Sequence, residues 1–427
     1  MNVVLIINND KKEKTGTKKR NYLVWGLVAL CVVISALLIY FKGVPYYRYN
    51  SAVAMYAEES LRILVVEKRH ILDETRLYDN VKCCGGILDD TAQKTLSRMK
   101  LALDEGVITT PQIFSVRAVD CVSRRQRRYA RNYLNIDRPK FDRMLLQKAA
   151  SRANVDIMEG TLCTDFTESK DSVAVALKTE EGAVEVVMTR YLVGADGAQS
   201  LVRRRLIKES GKKPLRDPAV YVSLQEWYDA DRHLPYYMAL FDRKVTDYYG
   251  WVIPKEGPNG PQILVGAAMP QKGLAKKDAH ERFKQLKLDL TEMGMDLSKP
   301  VGRMGAVNLR PKAWGSVWTG EGRVFLCGEA AAIISPSSSE GISFALRSGV
   351  KLAQALNYLK KKNKNKEYSH AEMIRGRYLT ALLPLKVSIA LKTFKSPFMY
   401  HPLLRNLIFI SGLTSIRDVD KPEERAR

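Results

Sequence analysis

The chain has 427 residues and a formal charge of +23, room for a membrane anchor and about two lobes of ordinary domain size. Its five histidines are scattered and form no His-x-x-x-His or Cys-x-x-Cys grouping, so no metal site is expected. Basic residues are spread along the chain and not gathered in a nucleic-acid motif, which argues for an anionic membrane surface as partner and for no nucleic acid.

In chain order, residues 1–21 are a basic tail carrying Lys11, Lys12, Lys14, Lys18, Lys19 and Arg20. Residues 22–41, YLVWGLVALCVVISALLIYF, hold no charge and are long enough to cross a bilayer, so they read as a transmembrane helix. By the positive-inside rule the basic tail would stay in the cytoplasm and push the body out. The six cysteines, with no even spaced pattern, favour a reducing compartment; the reading adopted is a membrane-associated chain with a cytoplasmic body.

Residues Leu61–Glu67, LRILVVE, are an apolar strand ending in an acid placed to bind a ribose, as in dinucleotide-binding α/β units. The glycine-rich turn that should precede it falls at residues 45–50, where the chain reads PYYRYN with no glycine. Side chains there would block a pyrophosphate unless Arg48 compensates by charge.

Residues 191–206, YLVGADGAQSLVRRRL, run from an apolar strand through Gly194, Asp196 and Gly197 into a basic helix start. Residues 248–254, YYGWVIP, put Tyr249, Trp251 and Ile253 on one face of a strand, an apolar wall or plain core. Residues 322–349 run from an apolar strand through Gly328 and Glu329 to a turn from Pro336 to Gly341 that opens onto a helix. Glu329 can accept hydrogen bonds from sugar-like hydroxyls, and the helix start turns its positive end toward an electron-rich ring, which implies a flavin dinucleotide. The alternative for this segment is an ordinary strand-turn-helix unit capped by Ser337, Ser338 and Ser339.

Together these segments resemble the flavoprotein family that includes aromatic hydroxylases and geranylgeranyl reductases, over roughly residues 60–415. The resemblance implies one FAD flanked by Gly194, Asp196 and Gly197 on one side and by Gly328, Glu329, Pro336 and Gly341 on the other. Glu67 would hold the adenosine ribose, and Arg143, in the segment starting NIDRPKFDR, would lie near the cofactor. The aspartate usual in the second motif is Glu329 here, one methylene longer. Residues 248–254 look like the Tyr-x-Trp-x-Phe-Pro signature of geranylgeranyl reductases, in which Tyr249, Trp251 and Ile253 would line an isoprenoid pocket. Flavin halogenases carry a similar Trp-x-Trp-x-Ile-Pro, which Ile253 matches better. Residues 82–86, KCCGG, resemble the Cys-Gly-Gly loop of archaeal-type reductases, and Cys84 would then donate a proton to a carbanion-like carbon. Its alternative is a small buried hydrophobe.

The expected architecture is α/β: a Rossmann-like FAD-binding domain (residues 45–210 and 305–356) interleaved with an α+β substrate domain on an antiparallel sheet (215–304), then a helical region (357–427). The expected function is FAD-dependent reduction of carbon–carbon double bonds in a polyprenyl lipid, with reduced nicotinamide or ferredoxin as donor. Two alternatives stand beside it: a flavin-dependent monooxygenase or halogenase of the same fold, and a membrane-tethered relic that has lost FAD.

Overall fold

A computed structural model describes residues 3–9, 53–55, 57–272, 276–358 and 367–416. The glycine-free stretch 45–50 and the apolar stretch 22–41 both lie outside the described residues. Among those described, no helix is long and apolar enough to cross a membrane.

Among the described residues the fold is mixed α/β, built on three sheets. The first contains β1 (Val3–Asn9), β2 (Leu61–Glu67), β6 (Val155–Met158), β10 (Tyr191–Ala195), β16 (Gly320–Glu321) and β17 (Val324–Leu326), in the order β16-β17-β10-β1-β2-β6. Its strands are apolar runs because helices cover them; Ile63, Val65, Leu192, Val193 and Phe325 are all buried. The β10–β17 and β2–β6 pairs are parallel, whereas β1 runs antiparallel to both neighbours. Residues 3–9, read from sequence as part of a basic tail, therefore form a central strand. Val3 pairs with Glu67 and Ala195, so β1 brings its start, and not a following turn, to the carboxyl ends of β2 and β10.

The second sheet has the order β15-β11-β14-β13-β12-β4-β5-β18, with β4 (Ile113–Asp120), β5 (Gln126–Asn135), β11 (Ala219–Asp229), β12 (Tyr237–Phe241), β13 (Gly250–Gly257), β14 (Gly260–Pro270), β15 (Pro300–Arg310) and β18 (Ser415–Ile416). The short β3 (Ile87–Leu88) pairs with β5. Residues 113–135, expected in the cofactor lobe, belong to this sheet because β4 pairs in parallel with β12 as well as antiparallel with β5. Alternation gives the sheet two different faces. Val252 and Val265 pack with Phe283, Leu286 and Leu290 of the helix Lys276–Glu292, while Trp251 and Ile253 point the other way. The third sheet is a meander of β7 (Thr161–Glu168), β8 (Val173–Thr179) and β9 (Val184–Thr189).

Candidate active site

Between the first and second sheets lies a cavity of about 670 Å³, lined by apolar side chains with a few convergent polar groups, the form of a small-molecule site. Of the residues singled out in the sequence, Cys84, Gly197, Tyr249, Trp251, Ile253, Gly328, Glu329 and Gly341 line it. Glu67, Arg143, Gly194, Asp196 and Pro336 do not.

Glu67 ends β2 fully buried. Its Oε1 accepts from the backbone N–H and Nε of Arg69, both at 3.2 Å, while its Oε2 is buried with no partner among the described residues. Asp196 follows β10 in the same way: Oδ2 accepts from the Val202 N–H at 3.2 Å, and Oδ1 is buried and unpartnered. Burial pushes the Asp196 carboxyl up. Gly194, just before it, admits no side chain, since a Cβ there would lie 2.8 Å from Val202 and Leu326. Two unsatisfied carboxylate oxygens at the ends of the two strands that flank β1 are costly unless a ligand supplies donors, and strand ends are where α/β sheets bind ligands. This donor-seeking pair fits the hydroxyl-rich part of a dinucleotide.

Glu329 sits in the cavity wall, where Oε1 accepts from the Leu309 N–H at 2.9 Å and Oε2 lies 3.6 Å from Lys82 Nζ. Gly341 is the N-cap of the helix Ile342–Asn357. Glu340 caps that helix through the Ser343 N–H and hydroxyl, both at 2.7 Å. Burial and the Asp89 carboxylate nevertheless push its carboxyl up to about 7.

The Cys-Gly-Gly loop is locked onto β13. A Cβ on Gly85 would stand 2.5 Å from Ile253, and Gly86 has φ +59° with the Ile136 carbonyl and Lys255 Nζ where a Cβ would go. Lys255 donates to the carbonyls of Gly86 and Ile136, both at 3.1 Å, and burial lowers its ammonium to about 8. This geometry sets Cys84 Sγ 3.3 Å from Arg138 Nη1 and 3.4 Å from the Gly86 N–H. Burial pushes the thiol up, but the guanidinium, the Gly86 N–H and Lys82 outweigh it, and the thiol lies below its ordinary value. Cys83, next in the chain, donates to Gln225 and is pushed up to about 12 by burial.

Arg138 was not picked out from sequence, whereas Arg143 was. Both lie on the helix Arg138–Ala150, which Asp137 caps. Arg138 shares the inner face with Phe141, Asp142 and Leu145, spaced three to four residues apart, and all four line the cavity. Arg143 falls off that stripe and pairs with Glu74 at 2.6 Å. The 3.6-residue period of the apolar positions after Asp137 was the available signal.

The aromatic wall is larger than the strand suggested. Tyr249 lies 5.6 Å from Trp251, Tyr400 stacks on it, and Tyr248 packs tilted against both tyrosines. The Tyr249 and Tyr400 hydroxyls donate to the carbonyls of Ser338 and Ser337, which ties the wall to the serine turn. Arg310 lies over the rings of Tyr221, Tyr248 and Tyr400 and donates to the Pro336 carbonyl. Trp251 Nε1 is buried with no partner among the described residues.

The sequence model of the FAD binding domain family matches residues 112–371. The protein CbrA of Escherichia coli O157:H7 is 34% identical over 367 residues, spanning 86% of this chain and 95% of that protein. Among solved structures, a geranylgeranyl bacteriochlorophyll reductase-like protein from Thermoplasma acidophilum superposes with a TM-score of 0.61 at 17% identity, covering 85% of this chain and 98% of that one. The flavin-dependent brominase Bmp2 gives 0.55 at 20% identity, covering 86% and 93%. At these identities the two structures share the fold.

Proposed function

This chain belongs to the FAD binding domain family and binds FAD, and from that premise we propose that it reduces carbon–carbon double bonds in an elongated apolar substrate of the polyprenyl type. Flavin-dependent oxidoreduction is the broad activity of the fold. The narrower reading is carried by one observation: the Cys84 thiol, held by Arg138, shares a cavity with the Tyr249–Trp251–Ile253 wall.

FAD, when bound and reduced, supplies hydride. Glu67 and Asp196 would hold its hydroxyl-bearing part through their unpartnered oxygens, with Gly197, Gly328, Glu329 and Gly341 lining its path. The aromatic wall orients the chain of the substrate and excludes water. Cys84 would give a proton to the alkene carbon that does not receive hydride, and Arg138, 3.3 Å from its sulfur, would hold the thiolate left behind. A lowered thiol pKa makes that transfer easier.

The test offers detergent-purified, dithionite-reduced protein a geranylgeranyl-type lipid and reads the mass of the product. A gain of two hydrogens per bond is the expected result, with Cys84→Ser keeping its flavin spectrum and losing rate. No product with a fully bleached flavin would overturn the proposal. A second reading, a monooxygenase or halogenase, draws on the Bmp2-like fold and on Ile253; oxygen uptake coupled to an oxygenated or halogenated product would establish it. The relic reading is dropped, because the chain belongs to an FAD-binding family. Residues 22–41 as a membrane anchor and a cytoplasmic body complete the proposal, with the electron donor a reduced nicotinamide or a ferredoxin.

A further inference from the structure

The C-terminal helices carry apolar side chains on their outer as well as their inner faces. On the helix Leu383–Tyr400, Leu385 and Ile389 are buried, whereas Leu383, Val387, Leu391, Phe394 and Phe398 are exposed. Their spacing of four, four, three and four residues makes one stripe along the helix. The next helix, Pro402–Ser411, continues it with exposed Leu403, Leu407 and Ile410, and Leu413 follows. Phe394 is 75% and Leu403 70% exposed, far more apolar surface in one place than scattered single residues produce.

Two further observations say what covers this face. The first is charge. Residues 373–417 contain no aspartate or glutamate, and neither do residues 121–136, which include Arg124, Arg125, Arg127, Arg128 and Arg131. The two segments lie side by side: β18 pairs Ser415 with Tyr129, and Arg125 donates to Asn406 at 2.8 Å. Lys395 is crowded enough by its surroundings that burial, Arg131 and Lys392 together lower its ammonium. The second is continuity with the site, since Lys395, Phe398 and Leu413 line the same cavity as Cys84 and Trp251.

We infer that this outer face is an interfacial membrane-docking surface for anionic lipid, and that it opens the cavity toward the bilayer so that an apolar substrate enters without crossing water. An amphipathic helix of this kind rests about 5–10 Å into the headgroup and acyl boundary, and each nearby basic residue strengthens binding to anionic lipid by roughly fivefold. The inference rests on the proposed substrate class for its purpose, but the surface itself is tested without substrate or flavin.

Residues 22–41 could hold the chain in vesicles by themselves, so binding alone decides nothing and the readout must be local. Single tryptophans are added to the full chain by Leu391→Trp, Leu407→Trp and, as a control on the outer face of the three-stranded sheet, Val186→Trp, which is 60% exposed in the native chain. Each is mixed with vesicles of brominated phosphatidylcholine containing increasing phosphatidylglycerol, and the quenching of the parent chain is subtracted. The expected result is extra quenching at Leu391→Trp and Leu407→Trp that grows with the anionic fraction and falls with salt, and none at Val186→Trp. Adding Lys386→Glu and Lys392→Glu should remove most of it. Quenching at the two stripe positions no greater than at Val186→Trp would overturn the inference; an emission shift there that follows protein concentration and not lipid would identify a second copy as the occupant. Failure of the lipid-reduction assay with intact quenching would sink the substrate reading and leave the surface standing.

Discussion

Arg138 Nη1 stands 3.3 Å from Cys84 Sγ while its Nε donates to Asp142 Oδ1 at 2.7 Å, so one buried guanidinium is shared between a thiol and a carboxylate. Asp142 also pairs with Arg69, which donates to Glu67, and a continuous charged ladder joins the end of β2 to the Cys-Gly-Gly loop. Each charge in it is partnered, which is the condition for keeping charges out of water.

The ladder predicts that Cys84 is the most reactive cysteine among the described residues. Burial pushes Cys83, Cys121, Cys163 and Cys327 up to about 12, whereas Cys84 lies below its ordinary value. Iodoacetamide at neutral pH, followed by peptide mass mapping, should modify Cys84 first. Arg138→Met should slow that alkylation several-fold and move its pH profile upward. Equal labelling of Cys83 and Cys84 would contradict the arrangement.

Glu67→Gln should weaken FAD. Its buried Oε2 has no partner among the described residues, and a charged acceptor lost from a ligand hydrogen bond costs about 1.5–3 kcal/mol. Flavin fluorescence titration of the reconstituted protein should show an affinity roughly tenfold to a hundredfold lower, with the helix content in circular dichroism unchanged. An unchanged affinity would place the ribose elsewhere.

Glu340 makes stability depend on pH. Its carboxyl ordinarily titrates at 4.5 and is pushed up to about 7 in the folded chain, so the folded state holds the proton more tightly than the unfolded one. That contribution is complete below pH 4.5 and is lost as pH rises through 7. Thermal unfolding should show Glu340→Gln gaining on the parent chain between pH 5 and 8, by at most about 3 kcal/mol. A pH-independent difference between the two would remove this assignment.

Gly86→Ala tests the loop. Gly86 has φ +59°, and an added Cβ would lie 2.5 Å from the Ile136 carbonyl oxygen. The expected cost is about 1–3 kcal/mol of stability, with loss of selective Cys84 alkylation because the loop moves off β13. Gly182→Ala is the control. That glycine also has positive φ, +92°, but open space around it, so any loss should stop at backbone strain and leave alkylation as it was.

Features with a local cause were readable along the chain. A strand that ends in an acid, as at Leu61–Glu67, and the alternation that turns Trp251 and Ile253 to one face follow from the two-residue period of a strand. The Cys-Gly-Gly loop was legible only as a resemblance to a family motif; the reason for its glycines, a Gly85 with no room for a Cβ and a Gly86 at φ +59°, came with the fold. The remainder depended on how the elements pack. Arg138, and not Arg143, faces the cavity because of how one helix is rotated against the sheet, and Tyr400 and Arg310 join Tyr248 from distant parts of the chain. Residues 3–9 occupy a central antiparallel slot that no local pattern specifies, since a short apolar run serves equally in either direction. Side-chain roles set by spacing along the chain are readable one element at a time; roles set by the register and rotation of packed elements exist only once those elements meet.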